Sequence, residues 1–313
     1  MGQVLGLDIG SAAVKFAEVA CGRREPQLVR SGVIATPAGT VADGQVLQPA
    51  ELGRVIQKAL QRAGCRARRV ACAVNGSGLL LRLVELPPLS PAQLKTSLRW
   101  ELERYVPYAA TAVEYDVQPL EMLPDKAVAL LATAPQAVVT SLLSTLAAAR
   151  LVPEVLEPGP LALLRFIGSH SAADASADPF LILDLGAASV KIIVQNKGRL
   201  EFARTITLKE FGTGADAWER VVGEIRRSAD YFFLQQHRGA PHFGTCLCTG
   251  GLVHETAFLA QLEAGLGIPV QVAGEKAVGE GNSHQVPGHL LATAVGLALG
   301  EVEKHAFSHR ATT

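Results

Sequence analysis

The amino-acid sequence predicts an α/β protein built of two related lobes. The first observation is a duplication: Leu7-Asp-Ile-Gly-Ser-Ala-Ala-Val-Lys15 returns as Leu183-Asp-Leu-Gly-Ala-Ala-Ser-Val-Lys191, with Leu, Asp, Gly, Ala, Val and Lys in register. The second is that an apolar run precedes each copy and further apolar residues follow it. Each copy is therefore typical of a buried strand, a tight Asp-x-Gly turn and a second strand, which form a hairpin.

Length and composition are those of a globular protein with an ample core. The chain has 313 residues, 49% of them apolar, which is enough for two domains. The 29 Lys and Arg residues equal the 29 Asp and Glu residues, so no overall field favours nucleic acid or an anionic membrane. No nucleic-acid partner is expected. Five cysteines, an odd number, argue against a disulfide framework and fit a reducing cytosol.

The sequence predicts neither a secretory signal nor a membrane span. The N-terminus has no basic region, and Asp8 interrupts its apolar run. The uncharged stretch 127–149 is long enough to cross a bilayer, but it contains Pro135 and several Ser and Thr residues and divides into a strand and a helix. The tail 301–313 is polar and lacks an amphipathic face for anchoring.

The best domain boundary is a segment rich in small and polar residues at 168–179. We interpret a helix–strand–strand–helix unit at 85–152 as a subdomain inserted into the first lobe. The predicted units are residues 1–84, 85–152, 153–178 and 179–313. The predicted helices and strands are a helix over 51–63, strands over 69–74 and 79–86, a helix that begins at Ser90 and is stopped by Pro107, strands over 113–119 and 127–132, helices over 135–149 and 215–236, a strand over 245–248, a helix over 256–266, a strand over 268–272 and a closing helix over 288–300.

The two hairpins favour binding of a nucleotide between the lobes. Glycine lets the backbone approach a ligand closely, and exposed turn N–H groups bind anions. An aspartate at a strand end can hold Mg²⁺, directly or through water. We therefore expect Asp8 and Asp184 to organise Mg²⁺ for a nucleotide gripped by facing hairpins. Neither a P-loop nor a Rossmann glycine motif in strand–helix context is present.

The order of these elements resembles the superfamily of actin, heat-shock ATPases and sugar kinases, which implies an actin-like ATPase fold with two lobes around a nucleotide cleft. The segment Asp8-Ile-Gly-Ser-Ala-Ala-Val-Lys15 matches the first phosphate loop, and Asp184-Leu-Gly-Ala187 the second. The nucleotide-binding residues that the resemblance implies are Asp8, Gly10, Ser11, Ala12, Lys15, Asp184, Gly186, Ala187, Glu224, Arg227, Thr249, Gly250 and Gly251. Glu157 matches the connector position where an acidic side chain aligns water, which makes it the catalytic candidate.

Within the superfamily the chain most closely resembles the PilM family of type IV pilus assembly. The resemblance rests on Leu86-Pro-Pro, on Trp100-Glu-Leu-Glu-Arg-Tyr-Val-Pro107 and on Glu224-Ile-Arg-Arg-Ser-Ala-Asp-Tyr231, and it covers essentially the whole chain. It implies an inserted subdomain like that of the cell-division protein FtsA, binding of ATP, and binding of the cytoplasmic N-terminal tail of the membrane protein PilN. It also implies a cytoplasmic protein that lies peripherally at the inner membrane through this partner, with pilus motor ATPases as further partners.

Two other functions remain open from the sequence: a small-molecule or sugar kinase of the same superfamily, and an adaptor of the FtsA or secretion-system type. Ala187 and Ala188 stand where active members carry hydroxyl, acidic or glycine residues near the γ-phosphate. Losing such contacts weakens hydrolysis more than binding, because catalysis depends on interactions strengthened in the transition state. We therefore expect at most weak ATPase activity.

Several site residues also have simpler interpretations. Glu157 fits a helix-capping acid, and Glu224 with Arg227 fits a surface pair three residues apart on a helix. Lys15 fits an exposed charge on a hairpin, which is also our interpretation of Lys191 in the second copy.

Overall fold

A computed structural model describes residues 3–20, 26–170, 179–212, 215–235, 243–274 and 286–310. Most of the predicted domain boundary, residues 171–178, lies outside the described residues. The first half of the chain comprises β1 (Gln3–Ile9), β2 (Ala13–Ala20), β3 (Gln27–Ala35), β4 (Val41–Ala42), β5 (Gln45–Val46), α1 (Pro49–Arg62), β6 (Arg69–Val74), β7 (Leu80–Leu86), α2 (Pro91–Tyr105), β8 (Val113–Met122), β9 (Ala127–Pro135), α3 (Gln136–Ala148), β10 (Val152–Pro158) and α4 (Gly159–His170).

The second half repeats the main elements of the first. It comprises β11 (Phe180–Leu185), β12 (Ser189–Asn196), β13 (Arg199–Thr207), α5 (Ala215–Gln235), β14 (Cys246–Thr249), α6 (Thr256–Leu266), β15 (Val270–Val272) and α7 (Gly288–Arg310). The predicted helices and strands are confirmed in kind, with ends that differ by a few residues except in α7.

The two main sheets have the same topology. The first sheet has the order β10-β6-β1-β2-β3 and the second the order β13-β12-β11-β14-β15. In each, three consecutive strands form an antiparallel meander, and two later strands add in parallel beside the first strand of that meander. The two related lobes predicted from the duplicated hairpins are therefore confirmed.

The two halves differ mainly at one insertion. Residues 75–135 separate β6 from α3, whereas only residues 250–255 separate the equivalent β14 and α6. The insertion forms a sheet of order β7-β9-β8, whose one face packs on α2 through residues such as Leu98 and Leu131. We call residues 75–135 the inserted unit.

The packing divides this region differently from the predicted limits of 85–152. Strand β7, which starts at Leu80, pairs with β9 and so belongs to the inserted unit. Helix α3 belongs to the first lobe instead, because Leu142 and Leu146 share a core with Leu52 and Ile56 of α1. The pairing of β7 with a strand far along the chain decides the boundary.

Helices α4 and α7 pack against one another between the two main sheets. Helix α7 covers β1, β2 and β6 of the first sheet, and α4 contacts β12 and β13 of the second. The contacts are at backbone distance: a Cβ on Gly6 would lie 1.9 Å from the Ala294 carbonyl oxygen, and one on Gly296 would lie 1.9 Å from that of Ala162. Helices α1 and α3 cover the opposite face of the first sheet, and α5 and α6 that of the second.

The closing helix α7 is longer than predicted. The expected end at Gly300 is wrong, because the helix continues to Arg310. Gly300 does not terminate the helix but allows a close contact, since its Cβ would lie 2.6 Å from the guanidinium carbon of Arg165. Glu301 and Val302 continue the buried face, with 5% and 4% exposure. Among the described residues, no helix is both long and apolar enough to cross a membrane.

Replacing Gly296 by Ala should destabilise the protein by about 1–3 kcal/mol, because the added methyl group overpacks the contact of α7 with α4. Gly168→Ala is the matched control, since it lies in α4 and nothing is within 4 Å of its Cβ position. Denaturant unfolding measures both. Equal free energies of unfolding for the two variants would contradict the close helix contact.

Candidate functional site

Asp8 and Asp184 face the centre of the molecule because residues alternate between the two faces of a strand. In β1, Leu5, Leu7 and Ile9 contribute to the core under α1 and α3, so Asp8 lies on the opposite face. In β11, Leu181, Leu183 and Leu185 pack under α5 and α6, which leaves Asp184 on the inner face. Both aspartates line one cleft between the lobes.

The two Asp-x-Gly turns have matching hydrogen bonds. The N–H of Gly10 donates to the Ala13 carbonyl at 3.1 Å, and that of Gly186 to the Ser189 carbonyl at 3.0 Å. The residue that follows the third strand of each lobe also forms a hydrogen bond with the turn. The Thr36 N–H donates to the Ala12 carbonyl, and the Leu208 N–H donates to the Ala188 carbonyl.

The turn N–H groups suit an anion. Within the described part of the chain, the N–H groups of residues 11, 12, 187 and 188 have no hydrogen-bond partner. Ala12, Ala187 and Ala188 are exposed in the cleft. Successive turn N–H groups form concavities that bind phosphate oxygens, so the site fits a polyphosphate.

Each aspartate is paired with the lysine directly opposite it in its hairpin. Lys191 Nζ lies 2.6 Å from Asp184 Oδ2, and Lys15 Nζ lies 3.4 Å from Asp8 Oδ2. The strand register places Asp8 opposite Lys15 and Asp184 opposite Lys191. Our interpretation of Lys191 as an exposed hairpin charge is therefore wrong, because the residue is only 8% exposed.

The remaining carboxylate oxygens also accept hydrogen bonds. Asn75 Nδ2 donates to Asp8 Oδ1 at 2.9 Å, and Thr249 Oγ1 donates to Asp184 Oδ1 at 3.5 Å. A Mg²⁺ ion on Asp8 and Asp184 would compete with these donors and with two ammonium groups. Among the described residues, no group of three or more ligating side chains could hold a metal ion. The residues thus fit a nucleotide better than a directly coordinated metal.

The charges of the two lobes influence one another across the cleft. Burial opposes ionisation of Asp8, but Lys15 and then Lys191 more than offset it and lower the pKa of this carboxyl. Burial likewise disfavours the charged form of Lys191, yet Asp184 and Asp8 together raise its pKa. Both side chains are therefore ionised at neutral pH, and Lys191 is attracted by an aspartate from each lobe.

The cleft brings together most of the predicted binding residues. These are Asp8, Gly10, Ser11, Ala12, Lys15, Asp184, Gly186, Ala187, Gly250 and Gly251. Thr249 does not line the cleft, but its hydroxyl donates a hydrogen bond to Asp184, which does. Gly250 has φ +93°, and a Cβ there would lie 2.8 Å from Asp184 Oδ1, so glycine is needed at this position.

Glu224 and Arg227 are not among the residues that line the cleft. They form instead the surface pair on one helix that was our simpler interpretation, with Arg227 Nε 3.0 Å from Glu224 Oε2. The other oxygen of Glu224 binds Arg204 at 2.9 Å, which ties α5 to β13. Their assignment to ribose and adenine binding therefore has no support from this geometry.

Glu157 is also not among the residues that line the cleft. Its carboxylate accepts two hydrogen bonds from Arg165, at 2.7 and 3.2 Å, and the same guanidinium donates to the Gly296 carbonyl of α7 at 2.7 Å. This arrangement links β10 to α4 and α7. It gives Glu157 an evident structural role and no contact with the cleft.

Sequence reasoning missed Lys191 and Asn75 as cleft residues. A signal for Lys191 was present, because the spacing from Asp to Lys is the same in both copies. Asn75 follows β6 without a recognisable motif, and only the sheet order brings it next to Asp8.

A second concave surface lies between the inserted unit and the first lobe. We call it the β8–β10 groove. One wall is residues 114–118 of β8, an edge strand of the small sheet, and the other is residues 155–158 of β10, an edge strand of the first main sheet. Thr133 also lines it, and the buried Thr133 Oγ1 has no hydrogen-bond partner among the described residues.

The two lobes, the central helices and the turn-lined cleft define a protein of the actin-like ATPase fold. One similar solved structure is the "PilM-PilN type IV pilus biogenesis complex", with 28% identity, a TM-score of 0.83 and coverage of 96% of this chain and 98% of that chain. The model of the family described as type IV pilus assembly protein PilM matches residues 6–216, so the chain belongs to that family.

More distant structures share the fold alone. The cytoplasmic domain of EpsL, an inner membrane component of the type II secretion system of Vibrio cholerae, has 13% identity and a TM-score of 0.51, over 97% of this chain and 95% of that chain. An inorganic polyphosphate/ATP-glucomannokinase from Arthrobacter has 14% identity and a TM-score of 0.51, over 97% of this chain and 100% of that chain.

Replacing Asp184 by Asn should lower the free energy of unfolding by about 3–5 kcal/mol, because Lys191 would stay buried without its counter-charge. The double variant Asp184→Asn, Lys191→Met should recover most of that loss. Denaturant unfolding is the measurement. The matched control is Asp116→Asn, which breaks an exposed pair with Lys95 and should cost less than about 1 kcal/mol. Similar losses for the two aspartates would contradict the burial of the cleft pair.

Proposed function

We propose that this protein is a nucleotide-binding scaffold of type IV pilus assembly that holds the cytoplasmic N-terminal tail of a PilN-like membrane protein. The observation that carries the proposal is the β8–β10 groove in a member of the PilM family. A bound tail would keep the protein peripheral at the inner membrane, on its cytoplasmic side. Contact with the pilus motor ATPases would then follow from its place in that assembly.

The groove suits an extended peptide because two unpaired strand edges face it. An edge strand presents backbone N–H and C=O groups that can pair with an added strand. Apolar side chains between the edges, among them Leu130, Val139 and Val155, offer pockets for apolar anchors. Thr133 adds a buried hydroxyl that a peptide backbone can satisfy.

The charge of the groove supports a basic tail. Glu114, Asp116 and Glu157 all line it. Asp116 and Glu157 have cationic partners, Lys95 and Arg165, so Glu114 is the acid we expect to meet the ligand. Cytoplasmic segments next to membrane spans carry an excess of Lys and Arg. Such a tail complements this surface.

The nucleotide that we propose is ATP or ADP, held between the lobes. The N–H groups of both turns and the ammonium of Lys15 are the groups that would bind phosphate oxygens, and Gly250 with Gly251 would lie against the nucleoside. In a metal-bound state, Asp8 and Asp184 would be the residues near Mg²⁺, which supplies positive charge to the phosphates. Closing of the cleft can change peptide binding in the groove only to the extent that the open and closed states differ in their affinity for the peptide.

The kinase alternative is less well supported. The TM-score of 0.83 to a PilM-containing structure is well above the 0.51 to the glucomannokinase. Ala187 and Ala188 line the cleft beside the second turn and provide no polar side chain for a transferring phosphate. A kinase-like phosphate-transfer rate on the order of 10 s⁻¹ with any small substrate would favour that alternative.

Purified protein should bind ATP and ADP, and Ala187→Glu should weaken binding about tenfold or more, because it adds a negative charge beside the phosphates. Ala187 is exposed, so the fold should tolerate the change. Ala187→Gln is the control, since it adds the same bulk without the charge. Calorimetric titration measures both. Absence of binding to the wild type would refute the nucleotide proposal.

Glu114→Lys should weaken binding of a PilN-like tail peptide about tenfold, because a basic peptide loses its acidic contact. Glu263→Lys reverses another exposed acid, on α6 and outside the groove, and should bind the peptide like the wild type. Fluorescence anisotropy with a labelled peptide is suitable. Equal affinity of both variants would place the peptide elsewhere.

A further inference from the structure

The lysine of the second hairpin is costly to bury and therefore calls for an explanation. Lys191 is 8% exposed, and its ammonium lies 2.6 Å from Asp184. Removing an ammonium group from water is expensive, and an ion pair rarely repays the cost better than apolar side chains of similar volume would. Stability alone is thus a poor reason for this pair.

The location of the pair suggests a reason. Lys191 lines the cleft together with Lys15, Asp8 and Asp184. Its charge is felt by the aspartate of its own lobe and by that of the other lobe. The ammonium therefore lies on a carboxylate in the same cleft as the N–H groups of both turns, where a metal ion would serve to bind phosphate.

The carboxylates themselves are engaged by protein donors. All four oxygens of Asp8 and Asp184 have one: Asn75 and Lys15 on Asp8, Thr249 and Lys191 on Asp184. A divalent ion prefers open oxygen ligands. It would have to displace the ammonium groups before it could bind directly.

The geometry points to Lys191 as a built-in cation of the cleft: its ammonium supplies to a polyphosphate the positive charge that a divalent metal ion would otherwise supply. Nucleotide then binds with little dependence on Mg²⁺. This inference rests on the proposed nucleotide binding and revises the expectation that Asp8 and Asp184 hold the metal. Removing the ammonium frees Asp184 Oδ2, so a variant without it gains a metal requirement.

The test is calorimetric titration of the full chain with ADP, once in EDTA and once with Mg²⁺. The wild-type dissociation constant should differ by less than about threefold between the two conditions, whereas Lys191→Met should bind about tenfold more weakly in EDTA and recover with Mg²⁺. Lys191→Arg keeps the charge and should behave like the wild type. Lys126→Met, at a partly exposed lysine of the inserted unit that pairs with Glu85, is the control for the substitution itself.

A second readout does not need nucleotide. Mg²⁺ alone should raise the melting temperature of Lys191→Met but not that of the wild type, because only the variant offers the ion an open oxygen of Asp184. This measurement also identifies a variant that fails to fold, since such a variant has no cooperative transition.

Three outcomes overturn the inference. Wild-type affinity that rises tenfold or more with Mg²⁺ would mean that a metal ion, not Lys191, supplies the charge, while nucleotide binding itself would stand. Metal-independent binding by both the wild type and Lys191→Met would mean that the charge comes from another residue. No ADP binding to the wild type in either condition would refute the nucleotide proposal and this inference with it.

Discussion

The two lobes are held at a fixed separation by helices that touch their neighbours backbone to backbone. Gly6 lets α7 lie directly on β1, and Gly296 lets α7 lie directly on α4. Because α7 is this close, its first turn reaches the cleft: the Gly250 N–H donates to the His289 carbonyl, and Leu290 lines the wall. Small residues in the central layer thus determine how near the two Asp-x-Gly turns can come to one another.

The electrostatics of the cleft follow from this closeness. Two Asp–Lys pairs that would be independent in separate hairpins interact when the lobes pack, as the pKa shifts of Asp8 and Lys191 indicate. Within each pair the two charges cancel, so the pairs themselves give the cleft no strong net attraction for either sign. Ligand selection then depends on the directed N–H groups of the turns and on how easily each ammonium can turn from its aspartate to a phosphate.

Much of this could be predicted from the sequence because the strongest patterns are local. The duplicated hairpins predicted both Asp-x-Gly turns, and α6 was predicted over residues 256–266, where it lies. What failed depended on contacts made by tertiary packing. No local pattern indicates that β7 pairs with β9 or that Arg165 donates hydrogen bonds to the Glu157 carboxylate. Nor does any local pattern indicate that Gly300 leaves space for Arg165 instead of ending a helix.

The burial of Lys191 was not predicted from the sequence for the same reason. Strand alternation indicates that Asp184 and its cross-strand neighbour lie on one face, but not that the other lobe covers this face. Only the packing of the whole molecule decides whether such a lysine is solvated or enclosed.

The crossing of α7 onto the first sheet also has a consequence for how the chain folds. The first sheet is covered on its inner side by a helix that is synthesised after the entire second sheet. A nascent first lobe therefore exposes the apolar inner face of β1, β2 and β6 until α7 has left the ribosome. Domains that are complete in themselves can fold one after another during synthesis, whereas these two lobes must complete each other, much as two chains do in a domain-swapped dimer.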